Sequence, residues 1–147
     1  MKRILLLLVC VCMTGMALAQ DALFKKYSNT RGVETVFISK AMLGMMPSVE
    51  VNGKRMSSKK IDRIQILSSE RPSLMRTIKT EALSSFERGH YEEMMRMHDG
   101  DDQTIIYSKS LGRGINEFVL FEMERDEINI INIRGSITLN DIKHLAE

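Results

Sequence analysis

The alternation of apolar and polar positions divides the chain after its first twenty residues into short strands and helices. The segments "GVETVFIS" (32–39) and "KIDRIQILS" (60–68) are rich in β-branched residues, which predicts two strands. Four more strand-like runs follow: "YEEMMRMH" (91–98), "TIIYSK" (104–109), "INEFVLFEME" (115–124) and "EINIINIR" (127–134). Because short linkers join these runs, consecutive strands are expected to be antiparallel neighbours, giving a four-stranded meander.

Helical spacing marks a long central helix over "PSLMRTIKTEALSSFERG" (72–89), which begins at Pro72 and ends before Gly89. Its buried face is predicted to carry Met75, Ile78, Ala82 and Phe86. Shorter helices are predicted at 21–29, at 40–47 after an N-cap at Ser39, and at 138–147, where Thr138 and Asp141 have capping-box spacing. The predicted fold is α+β: an antiparallel sheet with a C-terminal four-stranded meander, packed by one long central helix and a short C-terminal helix.

Three features of the sheet stay open at this stage. Residues 48–60 contain Asn52-Gly53, a strong turn signal, and form either a small hairpin or a mobile loop. The run "EFVLFEM" (117–123) is apolar on both strand faces, so either helices cover both sides or an apolar patch is left for a partner. The polar residues of "INIINIR" (128–134) favour an edge position for the last strand, although its pairing is not determined.

The first nineteen residues have the pattern of a Sec-type signal peptide. Lys2 and Arg3 form a positive head, an apolar run follows over 4–13, and small residues at Ala17 and Ala19 predict cleavage before Gln20. We therefore expect an exported, most simply periplasmic protein whose residues 20–147 form a single α+β domain. Lipoprotein anchoring is the less favoured alternative, because valine and not a small residue directly precedes both Cys10 and Cys12.

Removal of this leader changes the charge and the cysteine content. The net charge of +2 comes from Lys2 and Arg3, so the remainder has 19 basic and 19 acidic residues, which argues against nucleic-acid binding. Both cysteines lie in the leader, and the mature chain therefore has no disulfide, thiolate metal site or cysteine nucleophile. The sequence after cleavage contains no apolar run long enough for a transmembrane helix.

Several stretches of the chain resemble the exported bacterial family known as domain of unknown function 4252. They are "FKKYSNTRGVETVFISKAML" (24–43), "IQILS" (64–68), "YEEMM" (91–95) and "IRGSITLNDIKHL" (133–145). The resemblance covers nearly the whole mature chain. It implies a signal-bearing, envelope-located protein of Gram-negative bacteria, with some lipoprotein members, and it implies no activity, cofactor or catalytic residue.

The stretch "MRMHDGDDQT" (95–104) holds the candidate metal ligands His98, Asp99 and Asp101. A calcium loop starting at Asp99 would lack the required glycine and the final glutamate, so we expect a hairpin turn in which Asp99-Gly100 supplies the positive φ angles. The histidines, His90, His98 and His144, do not have the spacing of a metal-binding pair on one helix or strand.

Methionine is abundant, and two clusters occur at regular spacing. Met42, Met45 and Met46 are predicted to share one helix face, and Met95 and Met97 one strand face, as core residues do. The alternatives are a Cu(I) site of thioether ligands and an adaptable methionine-lined interface.

These observations favour a non-catalytic exported interaction or structural module with a protein partner in the cell envelope and no cofactor. One alternative is a small metal-dependent or hydrolytic enzyme that uses His90 or His98 with nearby carboxylates. The other is a carrier of a small apolar ligand between sheet and helices. The oligomeric state is left undetermined by the sequence.

Overall fold

The computed structural model describes residues 19–147, and the predicted signal peptide therefore lies outside the described residues except for its last position. Within this range six strands form an antiparallel sheet in the order β1-β4-β8-β7-β6-β5, and β2 and β3 form a separate hairpin. The strands are β1 (Glu34–Ile38), β2 (Ser48–Val51), β3 (Lys54–Ser57), β4 (Ile61–Ser69), β5 (Glu92–Asp99), β6 (Asp102–Gly112), β7 (Ile115–Met123) and β8 (Ile128–Gly135). The predicted C-terminal meander, β5 to β8, is confirmed.

The helices of the described region are α1 (Ala19–Tyr27), α2 (Lys40–Gly44), α3 (Pro72–Arg88) and α4 (Leu139–Ile142), with 3-10 turns at Ser58–Lys60 and Lys143–Leu145. The predicted C-terminal helix is thus shorter than expected, because its second half is a 3-10 turn. Its capping box is present: the Thr138 backbone N–H donates to Asp141 Oδ2 over 2.8 Å. The α+β fold class is confirmed.

Helical or hairpin elements cover both faces of the sheet. On one face α1 and α3 pack over Val119, Phe121 and Ile130; on the other the β2–β3 hairpin, α2 and α4 pack over Phe118 and Leu120. Of the two alternatives for the doubly apolar strand, coverage of both sides is therefore the observed one.

Local sequence signals explain where the elements begin and end. All four predicted face residues of α3 are buried. Ser39 caps α2, its hydroxyl oxygen accepting a hydrogen bond from the Met42 N–H. Asn52 and Gly53 adopt φ angles of +54° and +72°, which suits a tight two-residue turn, and residues 48–57 are a hairpin and not a mobile loop.

Two expectations are wrong. The last strand, β8, lies between β4 and β7 and not at an edge; its asparagines are tolerated there because Asn132 and Asn129 donate to Glu117 and Glu122. The predicted helix face of Met42, Met45 and Met46 is not formed, because Met45 and Met46 lie beyond the end of α2, and of the three Met46 alone packs, partly buried, against the core. Met42 and Met45 are 52% and 83% exposed, because the helix ends at Gly44 and Leu43 alone of its residues is buried.

Candidate functional site: a groove beside edge strand β1

The two edges of the described six-stranded sheet differ in character. Strand β5 carries Glu92, Glu93, Arg96, His98 and Asp99 as exposed residues, and its register with β6 is interrupted by an irregularity between residues 93 and 95. Charges and bulges are the devices that keep an edge strand from pairing with another chain. This edge is therefore protected.

Strand β1 carries one charged residue, Glu34, at its first position. Val36 is 45% exposed and Phe37 is 63% exposed, and the register with β4 places their side chains on opposite faces of the sheet. A short edge strand with exposed apolar residues on both faces is open to pairing with another strand.

A groove of about 530 Å³ lies between α1 and β1, and we call it the β1 groove. Its lining residues are Asp21, Phe24 and Lys25 of α1, Ser28 directly after this helix, Thr35, Val36 and Phe37 of β1, and Arg63 and Gln65 of β4. Asp21, Phe24 and Lys25 are spaced i, i+3 and i+4, which puts them on one side of α1. A helix beside an open strand edge is an arrangement that can hold an extended polypeptide.

Helix α1 is fixed to the body of the protein by buried apolar residues and by Glu81 of α3. Leu23, Phe24 and Tyr27 are buried, the Tyr27 hydroxyl donates to Glu81 over 2.7 Å, and Lys26 pairs with the same carboxylate over 2.5 Å. Burial, reinforced by the hydrogen bond and charge of Glu81, raises the pKa of Tyr27 to about 12. The wall of the groove is thus held in position.

A buried polar cluster adjoins the groove through Arg63 and is centred on Glu117, which is 3% exposed. Its Oε1 accepts from Asn132 Nδ2 over 2.6 Å and from Arg63 Nη2 over 3.3 Å, and its Oε2 lies 3.9 Å from Arg134 Nη2. Arg63 also donates to Asp21 of α1 over 2.9 Å. Arg63 therefore links the sheet interior to the groove wall.

Two further polar groups border this cluster. Burial, followed by the charge and hydrogen bond of Glu117, raises the pKa of Tyr91 above its usual range. Gln65 lies on the groove floor, and its Oε1 has no hydrogen-bond partner among residues 19–147. This oxygen is buried, so it is not presented to a molecule in the groove.

A second buried carboxylate, Glu122, lies on the opposite face of the sheet. It accepts from Asn52 Nδ2 over 2.9 Å and from Asn129 Nδ2 over 3.0 Å, and Asn52 also donates to the Leu145 carbonyl over 2.8 Å. Burial raises the pKa of Glu122. These hydrogen bonds hold the β2–β3 hairpin against the C-terminal turn, which is a structural role.

The candidate metal ligands lie at the β5–β6 hairpin. Asp99 pairs with Asp102 as the last strand pair, and of the residues expected to supply positive φ only Gly100 does so, at +62°. Asp101 lies 3.5 Å from Arg125, and His98 Nε2 lies 3.5 Å from Gln103 Nε2. Within residues 19–147, no group of three or more His, Asp or Glu side chains is placed to hold a metal ion, and the site stays a prediction.

The structure does not bring the histidines together. His90 precedes β5 and His98 lies near its far end, so the strand from Glu92 to His98, about 20 Å long, separates them. His144 lies in the C-terminal 3-10 turn. The enzyme alternative needed His90 or His98 beside carboxylates in one pocket, and neither lines the β1 groove.

The β1 groove was not predicted from the sequence. The signals that could have found it are the polar positions at one end of two buried strand faces: Arg63 and Gln65 before Leu67, and Glu117 before Val119. What a single sequence does not reveal is that β1 lies at an edge, since this depends on β4 pairing with β8.

Together the fold and the groove define a small α+β protein with a two-sided core and one unprotected sheet edge. The chain belongs to the family described as domain of unknown function (DUF4252), whose model matches residues 27–145, and the suspected resemblance is confirmed. No curated protein matches the chain. Within residues 19–147 no helix is long and apolar enough to span a bilayer.

One solved structure is distantly similar: a protein of unknown function from Pseudomonas aeruginosa, described as a candidate regulator. It is 11% identical, with a TM-score of 0.38, over 80% of this chain and 77% of that chain. A similarity this distant carries no argument about function.

Proposed function

We propose that this chain is a non-catalytic interaction module exported to the bacterial cell envelope, which engages another polypeptide through strand β1. The observation that carries the proposal is the contrast between a charged, irregular β5 edge and an apolar, regular β1 edge. Main-chain groups of an open edge supply affinity in strand addition, and alternate side chains supply specificity.

Export is part of this proposal and is supported by the leader pattern. The basic head, short apolar run and small residues before Gln20 are the three parts of a cleavable signal. We infer that the partner meets the protein in the periplasm after cleavage.

The test is site-specific photo-cross-linking in fractionated cells, with a photoreactive phenylalanine analogue in place of Phe37. The matched control carries the same analogue in place of Met94 on β5, which is 45% exposed. We expect the processed protein in the periplasmic fraction and a discrete adduct with an envelope polypeptide, which includes a second copy, from position 37 alone. A cytoplasmic, unprocessed protein, or adducts from position 94 but not 37, would contradict the proposal.

A further inference from the structure

We propose that the polypeptide bound at β1 is a second copy of this chain, and that two β1 strands pair antiparallel about Val36 in a twofold-symmetric dimer. This inference rests on the proposed use of the β1 edge and names its occupant. It makes one continuous sheet of two six-stranded sheets.

A partner strand for β1 must be apolar on both of its faces. Val36 is exposed on the face that carries α2, and Phe37 is exposed on the face that carries α1. A partner strand that alternates polar and apolar residues would place polar groups against either Val36 or Phe37. The strand "ETVFI" itself meets this requirement, since adjacent apolar residues serve both faces.

Antiparallel pairing about Val36 gives favourable cross-strand neighbours. Val36 then lies opposite Val36 of the partner subunit, and Thr35 opposite the partner's Phe37, in two equivalent pairs. β-branched residues facing one another or an aromatic ring are stabilising cross-strand pairs. Such an arrangement is isologous, with the same surface used by both copies.

Charge complementarity favours the same orientation. Glu34 lies at the start of β1 and Lys40 two residues beyond its end, so antiparallel pairing brings Glu34 of each copy toward Lys40 of the other. Parallel pairing would put the two Glu34 carboxylates side by side, which is destabilising. Lys40 is 80% exposed and is free to reorient from its surface contact with Asp62.

The β1 groove accommodates the aromatic ring of the second copy. With Thr35 opposite the partner's Phe37, that ring lies on the α1 face of the sheet, where Phe24 and Thr35 line the groove. The partner's ring thereby covers apolar surface that one copy leaves open. Each copy therefore carries both an exposed Phe37 ring and the groove that receives the Phe37 ring of the other copy.

A cysteine cross-linking experiment tests the register. The full-length chain carrying Cys10→Ala and Cys12→Ala contains no other thiol, so an introduced cysteine can pair only between copies. We expect Val36→Cys to form an interchain disulfide under mild oxidation, because directly opposite Cβ atoms lie about 5 Å apart. Glu34→Cys should not, since its two copies would be offset by four residues, about 13 Å along the strand.

Leu111→Cys is the matched control for chance collisions, because Leu111 is also apolar and 39% exposed but lies on β6, four strands from β1. Disulfides from Leu111→Cys as readily as from Val36→Cys would overturn the proposal. So would Val36→Cys adducts formed in cells with a different polypeptide, an outcome that would leave the proposed function intact.

The mass in solution tests the same claim without cysteines. We expect light scattering to report a dimer of the purified protein as its concentration rises over roughly 1–300 µM, the range expected for a small interface. Val36→Lys and Phe37→Lys should stay monomeric with unchanged circular dichroism, and Leu111→Lys should still dimerise. A wild-type protein that remains monomeric throughout, with no Val36→Cys disulfide, refutes the dimer.

Discussion

Replacement of Glu117 by leucine tests the buried cluster that links the sheet to the groove. The Glu117 and Arg63 side chains are 4% and 15% exposed, so the substitution leaves a nearly desolvated guanidinium without its buried counter-charge. Removal of one partner of a buried ion pair costs about 3–5 kcal/mol. Because Arg63 keeps its bond to Asp21, we expect the lower end, about 3 kcal/mol, or a fall of about 10 °C in Tm for a domain of this size.

The assay is reversible urea unfolding followed by far-ultraviolet circular dichroism, with the free energy of unfolding extrapolated to water. The double variant Glu117→Leu with Arg63→Met should recover at least half of the loss, since replacing a whole buried pair by apolar residues is often neutral. Glu93→Gln, in the exposed pair with Arg96, is the matched control and should cost less than about 1 kcal/mol. A loss below about 1 kcal/mol for Glu117→Leu, or strictly additive single effects, would refute the reasoning.

Four further substitutions test the packing of the core and the hydrogen bonds that hold the β2–β3 hairpin. Burial raises the pKa of Glu122 in the native state, so its contribution to the free energy of unfolding is fully present below its unfolded-state pKa and is lost as pH rises through its native-state pKa. Between pH 4 and 7 the Glu122→Gln variant should therefore become more stable relative to wild type. A difference in the free energy of urea unfolding that does not change with pH would contradict this. Asn52→Gly keeps the φ of +54° but loses two hydrogen bonds, and should cost about 1.5–3 kcal/mol by the same assay. Gly135→Ala would push a Cβ into the Lys60 carbonyl and should cost more than about 3 kcal/mol, whereas Gly44→Ala, which meets open space in α2, should stabilise by about 0.5 kcal/mol; similar Tm values for both variants would contradict the structure.

Local signals in the sequence were sufficient for most elements. Pro72, Gly89 and the spacing of apolar residues define α3, and Asn52-Gly53 defines the hairpin turn. The interior position of β8 could not be predicted from local signals. Asn132 is accommodated in the sheet interior because it donates a hydrogen bond to Glu117, which lies fifteen residues away in the sequence. The exposure of Met42 and Met45 was missed because a five-residue helix has room for one buried residue, Leu43.

Predicting the candidate site requires knowledge of long-range strand pairing to a greater degree than predicting the fold does. Helix α1 was predicted by its apolar residues, but the groove forms only because α1 lies near β4 while β1 occupies an edge. Phe37 reads in the sequence as an ordinary strand residue. Its proposed role rests on its being 63% exposed in the groove that Phe24 also lines, which no local pattern encodes.

Hydrogen exchange of the β1 backbone amides tests most directly whether the β1 edge is the association surface. The measurement compares a peptide covering 34–38 with one covering 92–99, each at low and high protein concentration. We predict that the β1 peptide exchanges more slowly at high concentration, because a second strand then occupies its outward-facing N–H groups, while the β5 peptide is unchanged. Protection of β5 with β1 unchanged, or no concentration dependence in either strand, would contradict the account.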